Sequence, residues 1–214
     1  MKIKRDCMSD RIKKLILDRI CDGTYLPGDR IIELQIAREM STSQAPVREA
    51  LCELEAMRVL ETQPYKGTRV REVSRQEIEE SLQIRAVLEN LAAEQVGDRL
   101  LGQIDLLRQR ARETVEAAKN RDFRQYSLSN LAFHRMIIEA SGNQTLILVW
   151  ESLAPEVRML ANAREHIDCL SDCANDHLEI VDAFAEGDNR FAGKLLRKHA
   201  EAIIVQEGLQ RQHA

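Results

Sequence analysis

Apolar residues recur along this chain at helical spacing nearly throughout, with one short stretch of a different period. Ile12, Leu15, Ile16 and Ile20 follow Ser9 and Asp10 and share one face of a predicted helix, while Arg11, Lys13, Lys14 and Arg19 cover the rest. Gly23 and the Pro27-Gly28 turn end it. Glu33 to Met40 reads as a short second helix, and Ser41-Thr42 as a tight turn. Ser43 is then placed as an N-cap whose hydroxyl accepts from the first helical turn. Pro46 falls inside that turn, where a missing N–H costs little. Val47, Ala50, Leu51 and Leu54 follow at i, i+3, i+4 and i+7, which leaves Gln44, Arg48, Glu49 and Cys52 facing outward. The period then drops to two. Leu60–Gln63 and Thr68–Arg71 alternate, joined by Pro64-Tyr65-Lys66-Gly67, a turn with a cation and a glycine at its tip.

Ser74 with Glu77 three residues on is a capping box that opens a second unit. From there only helices are predicted, at about 75–97, 101–119, 121–140, 143–163, 174–186 and 189–207, with a polar stretch at 164–173. Six helices joined by short connections predict an antiparallel bundle. The fold class is therefore mainly α: a winged helix-turn-helix over residues 1–72, then an all-helical unit over 73–214. The junction near Arg71–Ser74 leaves almost no linker, so the two units are expected to move as coupled bodies.

Composition narrows the picture. Hydrophobic residues make up 44% and aromatics only 4% of the 214 residues, so the core is expected to be Leu, Ile, Val and Ala. No apolar run approaches the roughly twenty residues of a membrane span, and the charged amino terminus lacks the apolar stretch of a signal peptide. A cytoplasmic protein with no membrane partner is expected. The net charge of −4 argues against a general nucleic-acid binder, but it is unevenly spread. Residues 1–70 hold 13 Lys+Arg against 11 Asp+Glu, and the remainder 18 against 24. The small basic excess lies with the hairpin and the helices before it, so specific contacts must supply what the general field does not. Five cysteines, an odd number, favour free thiols. Cys169 and Cys173, flanked by His166 and His177, match no zinc spacing and are read as reduced and incidental. His166 and His213 are given no role.

Two short helices with a tight turn, the second carrying amide and guanidinium groups, suit a helix-turn-helix, although an ordinary helical pair has the same pattern. A hairpin directly after the second helix makes it a wing, whose basic tip suits phosphate or the minor groove. Ser43, Gln44, Ala45, Pro46 and Arg48 are the candidate DNA-contacting residues of the helix, and Lys66 and Gly67 those of the wing. Residues 9–71 resemble the GntR family of bacterial transcription regulators. The resemblance rests on Tyr25-x-Pro27-Gly28-Asp29-Arg30-Ile31, Ile36-Ala37, Pro46-Val47-Arg48-Glu49-Ala50-Leu51-x-x-Leu54-Glu55 and Pro64-x-x-Gly67-x-x-Val70. Ser41 and Arg58 depart from it, standing where the family often has glycine.

Residues 75–205 resemble, more loosely, the FCD ligand-binding domain of the FadR-like branch. The residues that carry this likeness are Arg85-x-x-x-Glu89 with Ala92-Ala93, Phe133-His134 with Ser141-Gly142-Asn143, and His177-x-x-Ile180-x-x-Ala183-x-x-x-Gly187-Asp188 ending in His199. That resemblance implies a metal site of His134, His177 and His199 in the bundle core. Asn130, one turn before His134, stands where many relatives carry aspartate. Taken alone, three histidines on three helices read equally as core or surface residues. Imidazole suits a divalent transition metal, zinc or nickel foremost, and a neutral amide oxygen at Asn130 is a poorer donor than a carboxylate. The fork of Arg85 matches an effector carboxylate bidentately, but Glu89 at i+4 offers it an ion pair instead. Asn143 is a second candidate effector contact, and Trp150 is expected in the core. The implied protein is a ligand-responsive regulator, commonly a repressor, that binds an inverted-repeat operator in double-stranded DNA as a homodimer and senses a small carboxylate. The alternative is a metal-dependent hydrolase or lyase on a helical bundle with a DNA-binding appendage. No HExxH, GxSxG or Gly-rich phosphate loop supports the alternative, and it leaves the winged helix without a purpose.

Overall fold

The computed structural model describes residues 7–166 and 170–210, so Cys169 and His213 lie outside the described residues. Helix α1 (Met8–Cys21) buries Ile12, Ile16 and Ile20. Strand β1 (Arg30–Ile31), helix α2 (Glu33–Glu39) and helix α3 (Gln44–Ala56) follow, then strands β2 (Leu60–Gln63) and β3 (Gly67–Val70). The three strands form an antiparallel sheet in the order β1-β3-β2, in which Leu60 faces Val70 and Gln63 faces Gly67. The wing thus closes one residue earlier than the alternation suggests, and the fully exposed Tyr65, rather than Lys66 alone, stands at its tip.

Ser41 and Arg58, the two departures from the resemblance, both adopt left-handed backbone, with φ of 50° and 60°. Glycine enters that region without the steric cost an L side chain meets, which explains why it is the common residue there. Ser43 takes the N-cap position of α3 with extended backbone, but its side chain makes no capping bond. The expected hydroxyl bond is not formed and the group faces outward.

The second unit comprises α4 (Arg75–Gln95), α5 (Ile104–Lys119), α6 (Phe123–Ala140), α7 (Gln144–Ser152), α8 (Pro155–His166), α9 (Leu170–Ala185) and α10 (Asn189–Gln210), with two single 3-10 turns before α5. The Ser74 capping box is present, and its Oγ accepts from the Glu77 amide at 3.3 Å. The single helix expected over 143–163 is two. Proline at 155 disfavours helical backbone at the residue before it, and Ala154 is thrown to a φ of 46°. The helix expected from 174 begins at Leu170.

Helices α4 and α10 pack together, as do α5 with α6 and α9. Gly193 of α10 lies so close to α4 that a Cβ there would sit 3.0 Å from the Asn90 carbonyl oxygen. Phe133, Trp150, Phe184 and Leu196 fill the bundle core. The winged-helix core of Ile16, Ile36, Val47, Leu54 and Val70 also takes in Val157 and Leu160 from α8 and Ala154 just before it. Each large side chain so buried contributes about 1.5–3 kcal/mol. Among the described residues no helix is long and apolar enough to cross a membrane.

Candidate DNA-reading face and metal centre

Ser43, Gln44 and Ala45 are exposed at the start of α3 and Pro46 is half-buried. A helix N-terminus presents free N–H groups, which suit phosphate. Arg48 is exposed, and its Nε donates to Glu33 at 2.8 Å and one Nη to the Gln44 side-chain oxygen at 3.1 Å. The guanidinium is thereby held along the outer edge of α3. Lys66 is exposed on the wing. Gly67, at a φ of 81°, lies against the guanidinium of Arg30, about 3.2 Å from where a Cβ would stand. Arg30 belongs with this face and was absent from the predicted set. Its strand is too short to leave a periodic signal, and only the β1–β3 pairing, Arg30 opposite Arg69, brings it to the wing.

The second cluster lies in the bundle. His134 on α6, His177 on α9 and His199 on α10 are all buried, and their candidate ligand atoms lie within 4.8 Å of one another. Each ring has an oxygen beside Nδ1: Glu89 Oε2 at 3.0 Å from His134, the Ala174 carbonyl at 3.0 Å from His177 and Asp176 Oδ2 at 3.2 Å from His199. The hydrogen bonds to His177 and His199 are of the kind that fixes a tautomer and leaves Nε2 to a metal, while at His134 the Glu89 oxygen stands at ion-pair distance without hydrogen-bond geometry. Among the described residues Nε2 of His134 has no hydrogen-bond partner, and that of His177 faces Asn130 Oδ1 at 2.9 Å. Burial lowers the pKa of His134 to about 4 against the pull of Glu89, and burial with the other two rings lowers that of His177. These rings are neutral at pH 7, the state a metal requires. The donor set therefore fits a divalent transition ion.

Glu89 ties the cluster together. It is fully buried and accepts from Arg85 Nε at 2.9 Å and from Trp150 Nε1 at 3.0 Å through one oxygen, with its other oxygen at His134. Burial opposes its charge, but Arg85 and His134 outweigh that and hold the carboxyl well below the usual range. Trp150 is core, as expected, and also a partner of this carboxylate. Arg85 makes the ion pair with Glu89 that the i, i+4 spacing offered, and it also lines the cavity beside the histidines.

That cavity is bounded by Ser81, Arg85, Tyr126, Asn130, His134, Arg158, Asn162 and His199, among others, and holds only about 20 Å³, room for about one water. Asn143 is not among the lining residues. Its Oδ1 caps α7 through the Leu146 amide and its Nδ2 donates to Gln95. Arg158, by contrast, lines the cavity and was missed, because nothing in the helical period separates it from a surface arginine.

Residues 8–70 match the model of the bacterial regulatory proteins of the gntR family, and residues 80–202 match the FCD domain. The chain is 32% identical over 204 residues to a probable D-xylose utilization operon transcriptional repressor of Paenarthrobacter nicotinovorans, covering 95% of this chain and 90% of that one. Among solved structures, Escherichia coli McbR/YncC superposes with a TM-score of 0.73 at 23% identity, over 97% of this chain and 99% of that one. A putative transcriptional regulator GntR from Rhodococcus sp. RHA1 gives 0.75 at 24%, over 92% and 96%. At these identities the two structures speak for the fold. The chain belongs to the GntR family of bacterial transcription regulators, a DNA-binding winged helix joined to an FCD domain, and is a regulator rather than an enzyme.

Proposed function

We propose that this protein is a cytoplasmic, ligand-responsive repressor. Residues 1–72 read an inverted-repeat operator, and residues 73–214 dimerise and sense a small carboxylate. In this reading Ser43, Gln44, Ala45, Pro46 and Arg48 of α3 contact bases or phosphates, with Lys66, Gly67 and Arg30 at the adjoining groove. The Paenarthrobacter relative is a probable transcriptional repressor. A homodimer is favoured because one winged helix reads too few base pairs for genomic specificity. Ile84, Val87 and Leu91 support it as an exposed apolar stripe along α4, at the i, i+3, i+7 spacing of a helix that packs on another.

The observation that carries the sensing half is the convergence of three buried imidazoles, each with an oxygen already beside Nδ1, next to a cavity lined by arginine. His134, His177 and His199 would hold zinc or nickel there, with Asn130 as a weak fourth donor. When bound, the ion supplies a Lewis-acid seat for a carboxylate. Glu89, held by Arg85, stands beside His134, and Arg85 closes one wall. Two measurements test the reading. Protein purified without chelator or metal-affinity tag is expected to carry close to one equivalent of transition metal, and less than about a tenth, with no thermal shift on adding zinc or nickel, would end the sensing half. Folded Arg48→Ala protein is expected to lose about tenfold or more in operator affinity, and an unchanged gel shift would remove Arg48 from the interface.

A further inference from the structure

Arg158 has no part in that reading, yet it is nine-tenths buried and lines the same cavity as His134 and His199. Among the described residues it has no ion pair. One Nη donates to the carbonyl of Leu153, and Nε has no partner. The charges that act on it are Arg71, Glu77 and Arg58. Glu77 is already held by Arg71 and by the Ser74 cap, so among the described residues no carboxylate pairs with Arg158. Arg85 differs, because Glu89 compensates it. The metal-ligand set is likewise without a negative charge, its donors being imidazoles and an amide where a carboxylate is common. A divalent ion and Arg158 are then two separate positive charges at one cavity, and burying an unpaired charge is costly.

A second observation concerns the helix itself. Val157 and Leu160 are fully buried in the winged-helix core, while Arg158, Met159 and Asn162, their neighbours on α8, line the cavity. One helix of 12 residues thus has a face in each unit. At its start stands Ala154, fully buried and left-handed, a strained single-residue junction of the kind that absorbs a change in helix direction.

We propose that Arg158 is the anion anchor of the cavity, that the effector is a small dicarboxylate with one carboxylate on Arg158 and the other at the histidine cluster, and that α8 transmits its binding to the winged-helix core. This rests on the metal-site reading above and adds the effector's charge, its anchor and the route of the signal. A guanidinium fork is suited to a carboxylate bidentately, and the bond to Leu153 occupies only one of its five donors. A 20 Å³ cavity does not admit a dicarboxylate unless its walls part. Because α8 is one of those walls, binding moves it.

The alternative is that Arg158 only caps the end of α7, a role that affects stability and not ligand affinity. The full-length protein is loaded with zinc and titrated with malonate and succinate, with acetate as the singly charged comparison and inorganic phosphate as the competing dianion. The single tryptophan, Trp150, reports from its bond to Glu89. Malonate or succinate is expected to bind about tenfold or more tighter than acetate. Arg158→Met should lower that affinity about ten- to a hundredfold while leaving acetate binding and zinc content unchanged, and Arg158→Lys should fall between. Hydrogen exchange in α1 and α3 should change on adding the dicarboxylate to the wild type but not to Arg158→Met. Equal dicarboxylate affinity in wild type and Arg158→Met overturns the anchor. If that variant does not fold, undiminished affinity in Arg158→Lys does the same. No dicarboxylate preference over acetate, or tighter binding of phosphate than of either dicarboxylate, overturns the effector class. Tight binding with unchanged exchange in α1 overturns transmission through α8. Loss of zinc from the wild type would instead strike the metal-site reading beneath it.

Discussion

At Asn130 a single amide stands beside the proposed metal site. Its Oδ1 stands 2.9 Å from Nε2 of His177, whose Nδ1 is 3.0 Å from the Ala174 carbonyl. A neutral imidazole has one N–H, so if that proton serves Ala174, two lone pairs face each other across the second contact. A shared cation resolves that opposition, and so does turning the amide over. Asn130→Asp introduces a negative donor at the same place and is expected to tighten zinc binding about tenfold or more, measured by competition with a chromophoric chelator. Unchanged affinity would mean that residue 130 lies outside the ligand set. The three histidines and Asn130 were legible in the sequence only through the resemblance, because their separation along the chain hides a proximity that the helix packing creates. Arg158 was not legible at all. What sets it apart is that it has no counter-charge among the described residues, and an absence leaves no mark on a periodic pattern.

The elements themselves were easier to read, since the helical period repeats over many residues and a turn residue acts at one. Helices α1, α3 and α4 fall close to where their apolar spacing puts them. The break between α7 and α8 was missed because Trp150, Leu153, Val157 and Leu160 continue the spacing across it, and one proline outweighs that continuity. The start of α4 gives an element-scale prediction. Burial raises the pKa of Glu77, but its bonds to Arg71 and the Ser74 backbone outweigh this and bring it down to about 2, from an ordinary 4.5. The folded protein therefore binds fewer protons here than the unfolded chain, and the stabilisation is complete above pH 4.5 and lost as pH falls from there towards 2. Glu77→Gln is expected to cost ~1–2 kcal/mol at pH 7 after allowance for solvent screening, and about half that or less at pH 3. Urea denaturation at the two pH values checks it, and an equal loss at both would show that the cap and not the charge matters.

For the whole molecule, the question is what joins the reader to the bundle. The short junction at Arg71–Ser74 suggests a rigid linker, and the Arg71–Glu77 pair reinforces it. Yet Ala154, Val157 and Leu160 sit fully buried among Ile16, Leu51 and Val70, so α8 completes the winged-helix core from outside its own sequence. Removing those side chains would cost about 1.5–3 kcal/mol for each of the two larger ones, a large share of the 5–15 kcal/mol that holds a typical domain together. The two units are therefore expected to unfold as one, with a single calorimetric transition whose van't Hoff and calorimetric enthalpies agree. A flexible Gly-Ser segment inserted after Val73 discriminates between the two connections. If the linker carries the coupling, the lengthened protein unfolds in two steps, the winged helix first. If α8 carries it, the insertion lengthens a loop whose ends α8 still holds together. Closing a longer loop costs only about 0.6 kcal/mol per doubling, so the transition stays single and falls by a few degrees at most. The buried side chains of α8 favour the second outcome, and two resolved transitions would refute it.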